Sequence, residues 1–349
     1  MFLSNGYGML TAGAPLAPIT FHRRDPRPHD VAMKILFCGV CHADVGLARG
    51  EWGFSTYPCV PGHEIVGRVT EVGTRVTKYK IGDLVGVDPL VDSCRTCTPC
   101  RDGFEQLCDT GFTPTYMGPD ADFGHTYGGY SNHIVVDENY VVRVPANLDP
   151  AAAAPLLCAG ITAWAPMRRA GVGKGMTVGV VGIGGVGHMG LKFAKALGAT
   201  TVALTTSPAK AEDARRLGAD DVLVTTSADA MAKSKERFDL LLDTVSKPHD
   251  LNAYLGLVKR QGELVMLGTP AKIEVAPLAL VFRQKRLSGS FIGGLHETQE
   301  MLDFCGKHGI TAQIERIAID KINEAWARMI NADVHYRFVI DMAIRPGAA

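Results

Sequence analysis

The sequence predicts a protein of two parts, a β-rich domain and an α/β domain with a doubly wound parallel sheet. Two observations support this prediction. The chain has 349 residues, which is long for one domain and suggests two. The residue pattern also changes after about residue 150, from short β-rich runs to a regular alternation of apolar strands and helices.

The first part is made of short apolar runs that are broken by glycine and proline. Examples are "IVGRVTEVG", "DLVGV" and "SNHIVVDENYVVRVP". Runs of this kind, bounded by turn-forming residues, are typical of strands, and long helical periods are few. We therefore expect a β-rich domain up to about residue 150.

From Met176 onward, apolar runs that read as strands alternate with helical stretches. The strand-like runs are "MTVGVVGI", "TTVALT", "DDVLVTT", "FDLLLDTV", "GELVMLG" and "RLSGSFIG", and the helical stretches include "VGHMGLKFAKALG" and "PAKAEDARRLG". Apolar strands separated by helices form a parallel sheet that is covered on both faces. After about Gly294 a helix, "ETQEMLDFCGKHG", and a strand, "HYRFVIDMA", are expected to return to the first domain.

The composition excludes several classes of partner. Lys plus Arg and Asp plus Glu both number 36, so no excess of positive charge favours nucleic acid or an anionic membrane. The sequence shows neither a basic region followed by an apolar leader nor an uncharged apolar run of about eighteen residues. We expect a cytoplasmic protein with no nucleic-acid or membrane partner.

Four of the 9 cysteines are clustered in "CRTCTPCRDGFEQLC". They are Cys94, Cys97, Cys100 and Cys108, with the spacing C-x2-C-x2-C-x7-C. In a reducing cytosol such clusters hold metal more often than they form disulfides, and four thiolates suit a closed, structural zinc site. Iron–sulfur clusters share this type of spacing, but no other feature indicates electron transfer. We expect a structural zinc lobe at about residues 92–110.

A second metal group is suggested by Cys41 in "GVCHADVG", His63 and Glu64 in "PGHEIVG", and Cys158 in "PLLCAG". Two cysteines and one histidine leave the fourth zinc position for water or substrate, which is the catalytic arrangement. A lone cysteine or histidine is more often structural, so the indication comes from the combination.

The stretch "VVGIGGVGHMG" predicts a dinucleotide site between a strand and a helix. Glycines in the pattern Gly182-x-Gly184-x-x-Gly187 allow a tight turn, and the helix offers free N–H groups to a pyrophosphate. The predicted contacts are Gly182, Gly184, Gly185, Val186 and Gly187.

The end of the second strand, "LTTSPAK", predicts the choice of cofactor. It has no carboxylate to bind the ribose hydroxyls of NAD. The hydroxyls of Thr205, Thr206 and Ser207 with the Lys210 cation suit a 2′-phosphate, so we expect NADP(H). Ser207 can at the same time cap the next helix.

Five motifs in order make the chain resemble the zinc-dependent medium-chain alcohol dehydrogenases, over essentially its whole length. They are "GVCHADV", "GHEIVGRVTEVGTRV", the four-cysteine lobe, "LLCAGIT" and "GIGGVGHMG". The similarity is to the branch of cinnamyl alcohol dehydrogenases and bacterial NADPH-dependent aldehyde reductases.

The resemblance implies a fold and an assembly. It implies a GroES-like catalytic domain at 1–154 and 293–349 and a Rossmann NADP-binding domain at 155–292. It also implies an active cleft between the two domains and homodimers or homotetramers that pair through the cofactor domains.

The resemblance also implies roles for individual residues. Cys41, His63 and Cys158 would bind the catalytic zinc, Glu64 could enter its coordination shell, and Asp44 would orient His63. Three further residues would face the cofactor: His42 at the pyrophosphate, Thr162 near the nicotinamide, and Arg337.

The chain departs from the family at two positions of the proton relay. The family typically has Ser or Thr at the position of Ala43, and many members have His at the position of Gly46. Three interpretations follow: water or the cofactor ribose substitutes for the relay, the chain is an altered variant with another substrate, or it is a scaffold with little activity.

The implied reaction is the reversible NADPH-dependent reduction of an aromatic or medium-chain aldehyde to a primary alcohol. The candidates for an apolar pocket lining are Trp52, Phe54, Tyr57, Met117 and Trp164, although each also suits ordinary core packing. His125 and His133 are read as structural. Two rival functions are a zinc-dependent polyol or amino-alcohol dehydrogenase and a non-catalytic protein that binds nucleotide and zinc.

Overall fold

The structure is a computed structural model and describes residues 1–344. Residues 345–349, the end of the domain predicted at 293–349, lie outside the described residues. The chain divides into two compact units: a first unit with Met1–Cys158 and the residues from Gly293 onward, and a second unit with Ala159–Ile292.

Strands occur throughout both units. In chain order they are β1 Phe2–Gly8, β2 Ala17–Arg23, β3 Asp30–Gly39, β4 Ile65–Val72, β5 Leu84–Val87, β6 Leu90–Asp92, β7 Thr113–Pro114, β8 Pro119–Asp120, β9 Gly124–His125, β10 His133–Asp137, β11 Val142–Arg143, β12 Thr177–Val181, β13 Thr200–Thr205, β14 Asp221–Val224, β15 Phe238–Asp243, β16 Val258–Met266, β17 Arg286–Gly289, β18 Ile314–Ile317 and β19 Arg337–Asp341.

The helices range in length from 4 residues in α2 and α3 to 14 residues in α10. They are α1 His42–Ala48, α2 Thr98–Arg101, α3 Pro150–Ala153, α4 Ala159–Arg169, α5 Gly187–Ala196, α6 Ala211–Arg216, α7 Ala228–Lys233, α8 Leu251–Leu255, α9 Pro277–Val281, α10 Leu295–His308 and α11 Ile322–Ile330. Among residues 1–344, no single helix has the length and apolar character needed to cross a membrane.

The first unit is built on a seven-stranded sheet with the order β11-β5-β4-β3-β19-β18, in which β10 also pairs with β3. The central strand β3 is buried along most of its length because Val31, Met33 and Ile35 point into the core. The closing strand β19 pairs antiparallel with β3 and places Ile340 opposite Cys38. In the structure this C-terminal strand therefore belongs to the sheet of the first unit.

The second unit is a six-stranded sheet with the order β14-β13-β12-β15-β16-β17, and every neighbouring pair is parallel. These strands correspond to the six predicted runs. The order reverses between β12 and β15, which is the topological switch point where doubly wound sheets bind nucleotides. The predicted α/β fold is confirmed.

Candidate functional site

The first ligand position is created where β3 ends and α1 begins. Cys41 has an extended backbone, with φ of −117° and ψ of 152°, immediately before the helix. Its N–H donates to Asp44 Oδ2 at 3.0 Å. Because Asp44 satisfies a free N–H at the start of the helix, the Cys-His-Ala-Asp order fixes the Cys41 thiol at the helix start.

His63 and Glu64 come directly before β4. Gly62 has a φ of +104°, which L side chains rarely adopt, so the turn into this strand requires glycine. A Cβ atom on Gly39 would lie 1.8 Å from Glu64 Oε2, so the side chain of Glu64 occupies the space that Gly39 leaves. Two glycines therefore shape the backbone and the space around these two ligand candidates.

The structure brings Cys41, His63, Glu64 and Cys158 together in the first unit. One potential ligand atom from each residue lies within 4.8 Å of all the others. His63 Nδ1 lies 3.0 Å from Asp44 Oδ1, which leaves Nε2 as the ring nitrogen for a metal.

The sulfur spacing tests whether this group fits zinc. Two sulfurs bound to one tetrahedral zinc ion at about 2.3 Å lie about 3.8 Å apart. The Sγ atoms of Cys41 and Cys158 are 3.9 Å apart. The group therefore fits a zinc site with three protein ligands and a neighbouring carboxylate.

The electrostatics of the group also favour a cation. The hydrogen bond with Cys41 and burial raise the pKa of the Cys158 thiol well above its usual value, while the same hydrogen bond lowers the pKa of Cys41. Two adjacent thiolates repel each other, so both ionise together only beside a positive ion. Burial also raises the pKa of the Glu64 carboxyl to about 7, although the Arg337 guanidinium opposes this shift.

Arg337 belongs to this group in the structure. The residue is 5% exposed, and its Nη2 donates a hydrogen bond to Glu64 Oε1. In the described part of the chain, Glu64 Oε2 is buried without a hydrogen-bond partner. Arg337, which the family resemblance assigns to the cofactor, thus also contacts the carboxylate of the metal group.

The four-cysteine lobe forms a second metal group. The Sγ atoms of Cys94, Cys97, Cys100 and Cys108 all lie within 4.8 Å of one another. Backbone N–H groups of Thr96 and Cys97 donate to Cys94 Sγ at 3.5 and 3.3 Å, and these bonds help to lower the pKa of Cys94 to about 5. Four sulfurs in this arrangement fit a closed tetrahedral site.

The glycine-rich turn joins β12 to α5 at the switch point of the second unit. Gly182 has a φ of +85°, and a Cβ atom on Gly187 would lie 1.9 Å from the Gly182 oxygen. By contrast, no atom lies within 4 Å of a Cβ on Gly184, so the turn is open there. Gly185 and Val186 complete the turn before the first residue of α5. The turn fits a pyrophosphate at the start of a helix.

The predicted 2′-phosphate residues follow β13 in the same unit. Thr205 is buried, and its Oγ1 accepts a hydrogen bond from the Ser207 N–H at 3.1 Å. Thr206 and Lys210 are exposed and Ser207 is half-buried. Thr205 therefore shapes the turn, while the other three residues present polar groups to solvent.

The positions of the altered relay lie on α1. Ala43 is half-buried and His42 is exposed at the start of the helix. A Cβ atom on Gly46 would lie 3.2 Å from Trp52 Nε1 and 3.5 Å from Glu51 Oε2. The indole of Trp52 and the carboxylate of Glu51 therefore border the place where a side chain on Gly46 would begin.

The pocket candidates have different environments. Trp52 is 49% exposed and Phe54 is 62% exposed, whereas Tyr57 is half-buried and donates to the Ala48 oxygen at 2.8 Å. Trp164 is 1% exposed and packs edge-on against Phe193, which matches the core-packing interpretation. Met117 has a φ of +59°, and its N–H donates to the Thr126 oxygen. Thr162 lies buried on α4 of the second unit.

Further polar contacts lie beside the glycine-rich turn, at residues that the sequence motifs do not include. Thr244 Oγ1 donates to the Val181 oxygen at 2.8 Å, and Asp243 Oδ2 lies 2.8 Å from His249 Nε2. Asp243 is 1% exposed at the carboxyl end of β15. A signal that indicates Asp243 is present in the sequence. It is the aspartate that follows three leucines in "FDLLLDTV", at the end of a predicted strand where doubly wound sheets bind nucleotides.

Comparisons with known proteins match two stretches of the chain. Residues 27–146 match the model of the alcohol dehydrogenase GroES-like domain, and residues 185–307 match that of the zinc-binding dehydrogenases. The chain is 53% identical to the aldehyde reductase YahK of Escherichia coli over 96% of this chain and 97% of that protein. It is 51% identical to the NADP-dependent alcohol dehydrogenase C 1 of Mycolicibacterium smegmatis, over 97% and 98% of the two chains.

A solved structure shows the same fold. A cinnamyl alcohol dehydrogenase from Sorghum bicolor superposes with a TM-score of 0.94 at 44% identity, and the match covers 98% of each chain.

Proposed function

We propose that this chain, which belongs to the zinc-dependent medium-chain alcohol dehydrogenases, reduces an aldehyde to a primary alcohol with NADPH as the hydride donor. The observation that carries this proposal is the group of Cys41, His63 and Cys158, whose ligand atoms lie within 4.8 Å of one another and of Glu64. Two sulfurs and one imidazole nitrogen hold zinc and leave one coordination position open.

Zinc on these residues would supply a Lewis acid that polarises a carbonyl group and makes its carbon a better hydride acceptor. Asp44 fixes the His63 ring by accepting the hydrogen bond from Nδ1. Arg337 holds Glu64 Oε1 and so restrains the carboxylate beside the sulfurs. These two contacts keep the ligand atoms in place while substrate enters.

The second unit would bind the hydride donor. We place the pyrophosphate of NADPH at Gly182–Gly187 and its 2′-phosphate at Thr206, Ser207 and Lys210, where hydroxyls and a cation face solvent without a carboxylate at the strand end. A relative that is 51% identical is named as NADP-dependent, which supports this choice. His42 and Thr162 are proposed as further cofactor contacts on the family resemblance.

The proton that completes the alcohol needs another route than the usual side chains, because Ala43 and Gly46 carry no acidic proton. We propose that the proton is exchanged with water beside α1, with Glu51 as the carboxylate that borders the side-chain position of Gly46. Glu51 Oε2 lies 3.5 Å from the position of a Cβ on Gly46, and the residue is exposed. An exposed carboxylate exchanges protons with solvent and suits the end of such a route.

The substrate is proposed to be a hydrophobic aldehyde, preferably an aromatic one. Trp52 and Phe54 leave large ring surfaces exposed after α1, and their ring centroids are 6.4 Å apart. Aromatic walls of this kind bind flat apolar groups. The 44% identity to a cinnamyl alcohol dehydrogenase supports the same substrate class.

The four-cysteine lobe is proposed to hold a structural zinc ion. Its four sulfurs would complete a tetrahedral shell and would leave no position for substrate. Because both metal groups need reduced thiols, we place the enzyme in the cytoplasm.

We also propose a homodimer that forms through the second unit. Strand β17 ends the sheet order, so one of its edges has no strand partner among the residues described. In the same unit, and close to β17 in the sequence, Leu278, Val281, Phe282 and Phe291 are 60%, 66%, 76% and 51% exposed. An open strand edge and exposed apolar side chains in one unit favour pairing with a second copy.

The experiment that tests the proposal combines metal analysis with a hydride-transfer assay. Purified protein is mixed with NADPH and cinnamaldehyde, and the decrease of the nicotinamide absorbance is followed. We expect two zinc ions per chain in the wild type and one in Cys158→Ser, with turnover lost in the variant. Cys305→Ser, which alters a buried cysteine outside both clusters, should keep both ions and full activity.

Full turnover by a Cys158→Ser protein that has lost the metal would refute the zinc-dependent reaction. A substrate panel of polyols, amino alcohols and hydrophobic aldehydes tests the rest of the proposal. Preference for a polyol over every aldehyde would refute the substrate class.

A further inference from the structure

We propose that Tyr130 and Trp326 are positioning residues that act through Asp44 to determine how firmly His63 holds its metal. The inference rests on the zinc-dependent function proposed above and extends it to residues outside the ligand set. It comes from a buried chain of hydrogen bonds in the first unit that runs from His63 to Asp44, then to Tyr130 and to Trp326.

The chain begins at a carboxylate with four donors around it. Asp44 Oδ1 lies 3.0 Å from His63 Nδ1 and 3.2 Å from the Gly62 N–H. Its Oδ2 lies 3.0 Å from the Cys41 N–H and 3.0 Å from the hydroxyl of Tyr130. Asp44 is completely buried. A buried carboxylate depends on such donors for both its charge and its orientation.

Three of these donors belong to the metal-binding segments themselves, since Cys41 and His63 are proposed ligands and Gly62 directly precedes His63. Tyr130 is the donor that comes from another part of the chain, 86 residues from Asp44. Its hydroxyl therefore connects the orientation of the carboxylate to the rest of the first unit.

The backbone fixes Tyr130 in this position. Its N–H donates to the Pro61 oxygen at 2.9 Å, and the Gly129 N–H donates to the Gly62 oxygen at 2.8 Å. A Cβ atom on Gly62 would lie 2.7 Å from Tyr130 Cδ1, so the ring lies against the backbone that precedes His63. With its ring held in this way, Tyr130 has little freedom to move away from Asp44.

Trp326 adds the last contact, from α11. Its Nε1 donates to the Tyr130 hydroxyl oxygen at 3.4 Å, and the two ring centroids are 6.4 Å apart. Tyr130 and Trp326 are 0% and 3% exposed. A hydroxyl that accepts one hydrogen bond becomes a better donor in the next, and this effect is strongest away from water. Trp326 therefore strengthens the bond from Tyr130 to Asp44.

The consequence concerns retention of the metal. Without the Tyr130 hydroxyl, the Asp44 carboxylate keeps three donors and its plane is less restrained, so His63 is oriented less firmly. Loss of a group that contacts a metal-bound histidine typically reduces metal affinity about 10- to 100-fold. Tyr130 contacts Asp44 and not His63 itself, so loss of its hydroxyl should have a smaller effect. We expect EDTA to remove the metal ion about three- to tenfold faster than from the wild type.

The test uses the full-length protein with Co²⁺ in the site of Cys41, His63 and Cys158. Two quantities are measured, the visible absorption bands of the ion and the rate at which EDTA removes it. We expect Tyr130→Phe to shift the bands and to accelerate release, and Trp326→Phe to do the same to a smaller extent. Each substitution retains an aromatic ring, and Tyr130→Phe removes only the hydroxyl group.

The double variant makes the test specific. If Trp326 acts through the Tyr130 hydroxyl, Trp326→Phe has no additional effect in the Tyr130→Phe protein. Tyr79→Phe is the control, because it removes another tyrosine hydroxyl of the first unit, one that donates to the Val141 oxygen. It should leave the bands and the release rate unchanged.

Wild-type bands and release in Tyr130→Phe would overturn the inference, as would additive effects in the double variant. If Tyr130→Phe does not fold, Trp326→Phe decides alone, and unchanged bands and release in it would overturn the inference. Failure of the proposed function gives a different result, namely a wild-type chain that binds no more Co²⁺ than Cys158→Ser.

Discussion

Arg337 and Glu64 form a buried ion pair across 273 positions of sequence, in which the guanidinium Nη2 donates to the carboxylate Oε1. Arg337 is 5% exposed and Glu64 is completely buried. The pair lies among the proposed zinc ligands, so the charge of Arg337 compensates a carboxylate that cannot reach solvent. It also connects strand β19 to the segment that precedes β4.

Arg337→Gln should strongly destabilise the protein because it removes the ion-pair partner of the buried Glu64 carboxyl group. Removal of one partner of a buried pair typically costs about 3 to 5 kcal/mol. Urea unfolding at constant zinc concentration measures the loss. Arg316→Gln is the matched control, since its pair with Asp149 is about half exposed and should contribute less than about 1 kcal/mol. Equal losses in the two variants would contradict the argument, and Glu64→Gln with Arg337→Gln should recover part of the stability.

Ala43→Thr should accelerate aldehyde reduction because it restores a hydroxyl at the relay position. Complete general acid catalysis contributes about 10²- to 10⁴-fold, and with Gly46 unchanged we expect only about three- to tenfold. The control is Ala43→Val, which has nearly the same shape without the hydroxyl. Rates are compared at saturating NADPH across a range of pH. An equal gain in both variants would show that volume, and not proton transfer, limits the enzyme.

Lys210→Ala should weaken the preference for NADPH over NADH. The exposed ammonium group is the cation of the proposed 2′-phosphate site, and its loss removes a charge-assisted hydrogen bond. We expect the KM for NADPH to rise about tenfold while the KM for NADH and kcat stay unchanged. Lys233→Ala, which alters an exposed lysine paired with Asp229 in the same unit, should have no effect. A parallel rise in both KM values would argue against a phosphate contact.

Asp88→Asn should stabilise the protein increasingly as the pH rises. Asp88 is 1% exposed, and burial raises the pKa of its carboxyl from 3.8 to about 7. A raised carboxyl pKa means that the folded state binds the proton more tightly, so stability is lost as the pH rises from about 4 to about 7. Asparagine never ionises and avoids this loss.

Between about pH 5 and about pH 8, the advantage of Asp88→Asn over the wild type should grow by about 2 to 3 kcal/mol. Urea unfolding at both pH values measures it. The exposed carboxylate of Asp229 provides the control, because Asp229→Asn should show no such growth. An advantage that is constant with pH would mean that Asp88 is already ionised at low pH.

Replacement of Val281 and Phe282 by glutamate should convert the proposed dimer into a monomer. Both side chains are exposed in the second unit, and four buried charges in a symmetric interface would be costly. Light scattering after size-exclusion chromatography measures the mass. Phe54→Glu changes an exposed phenylalanine of the first unit and should leave the dimer intact. A wild-type monomer would refute the proposed assembly.

The parts of the fold that could be predicted are those that depend on residues close together in the sequence. The strands of the second unit are continuous apolar runs, and the turn at Gly182 needs a positive φ, so both can be read from neighbouring residues. The cysteines of the lobe lie within fifteen positions of one another, and their spacing alone indicated a metal.

The parts that could not be predicted depend on contacts between distant segments. Nothing near Glu64 indicates Arg337, and nothing near Asp44 indicates Tyr130 or Trp326, because the sheet of the first unit brings them together only when the chain has folded. The surroundings of Gly46 could not be predicted either. The side chains of Trp52 and Glu51 border this residue because of the conformation of the turn that follows α1. The chemical role of single residues could be predicted from the sequence, but the neighbouring residues that modify this role could not.

The position of β19 between β3 and β18 has a consequence for biosynthesis. Every proposed ligand of the catalytic zinc has been synthesised by residue 158, whereas β19 is made only after the whole of Ala159–Ile292. The second unit is continuous and can fold as soon as it emerges. The first unit, in contrast, must wait with an incomplete sheet until Arg337–Asp341 has been made.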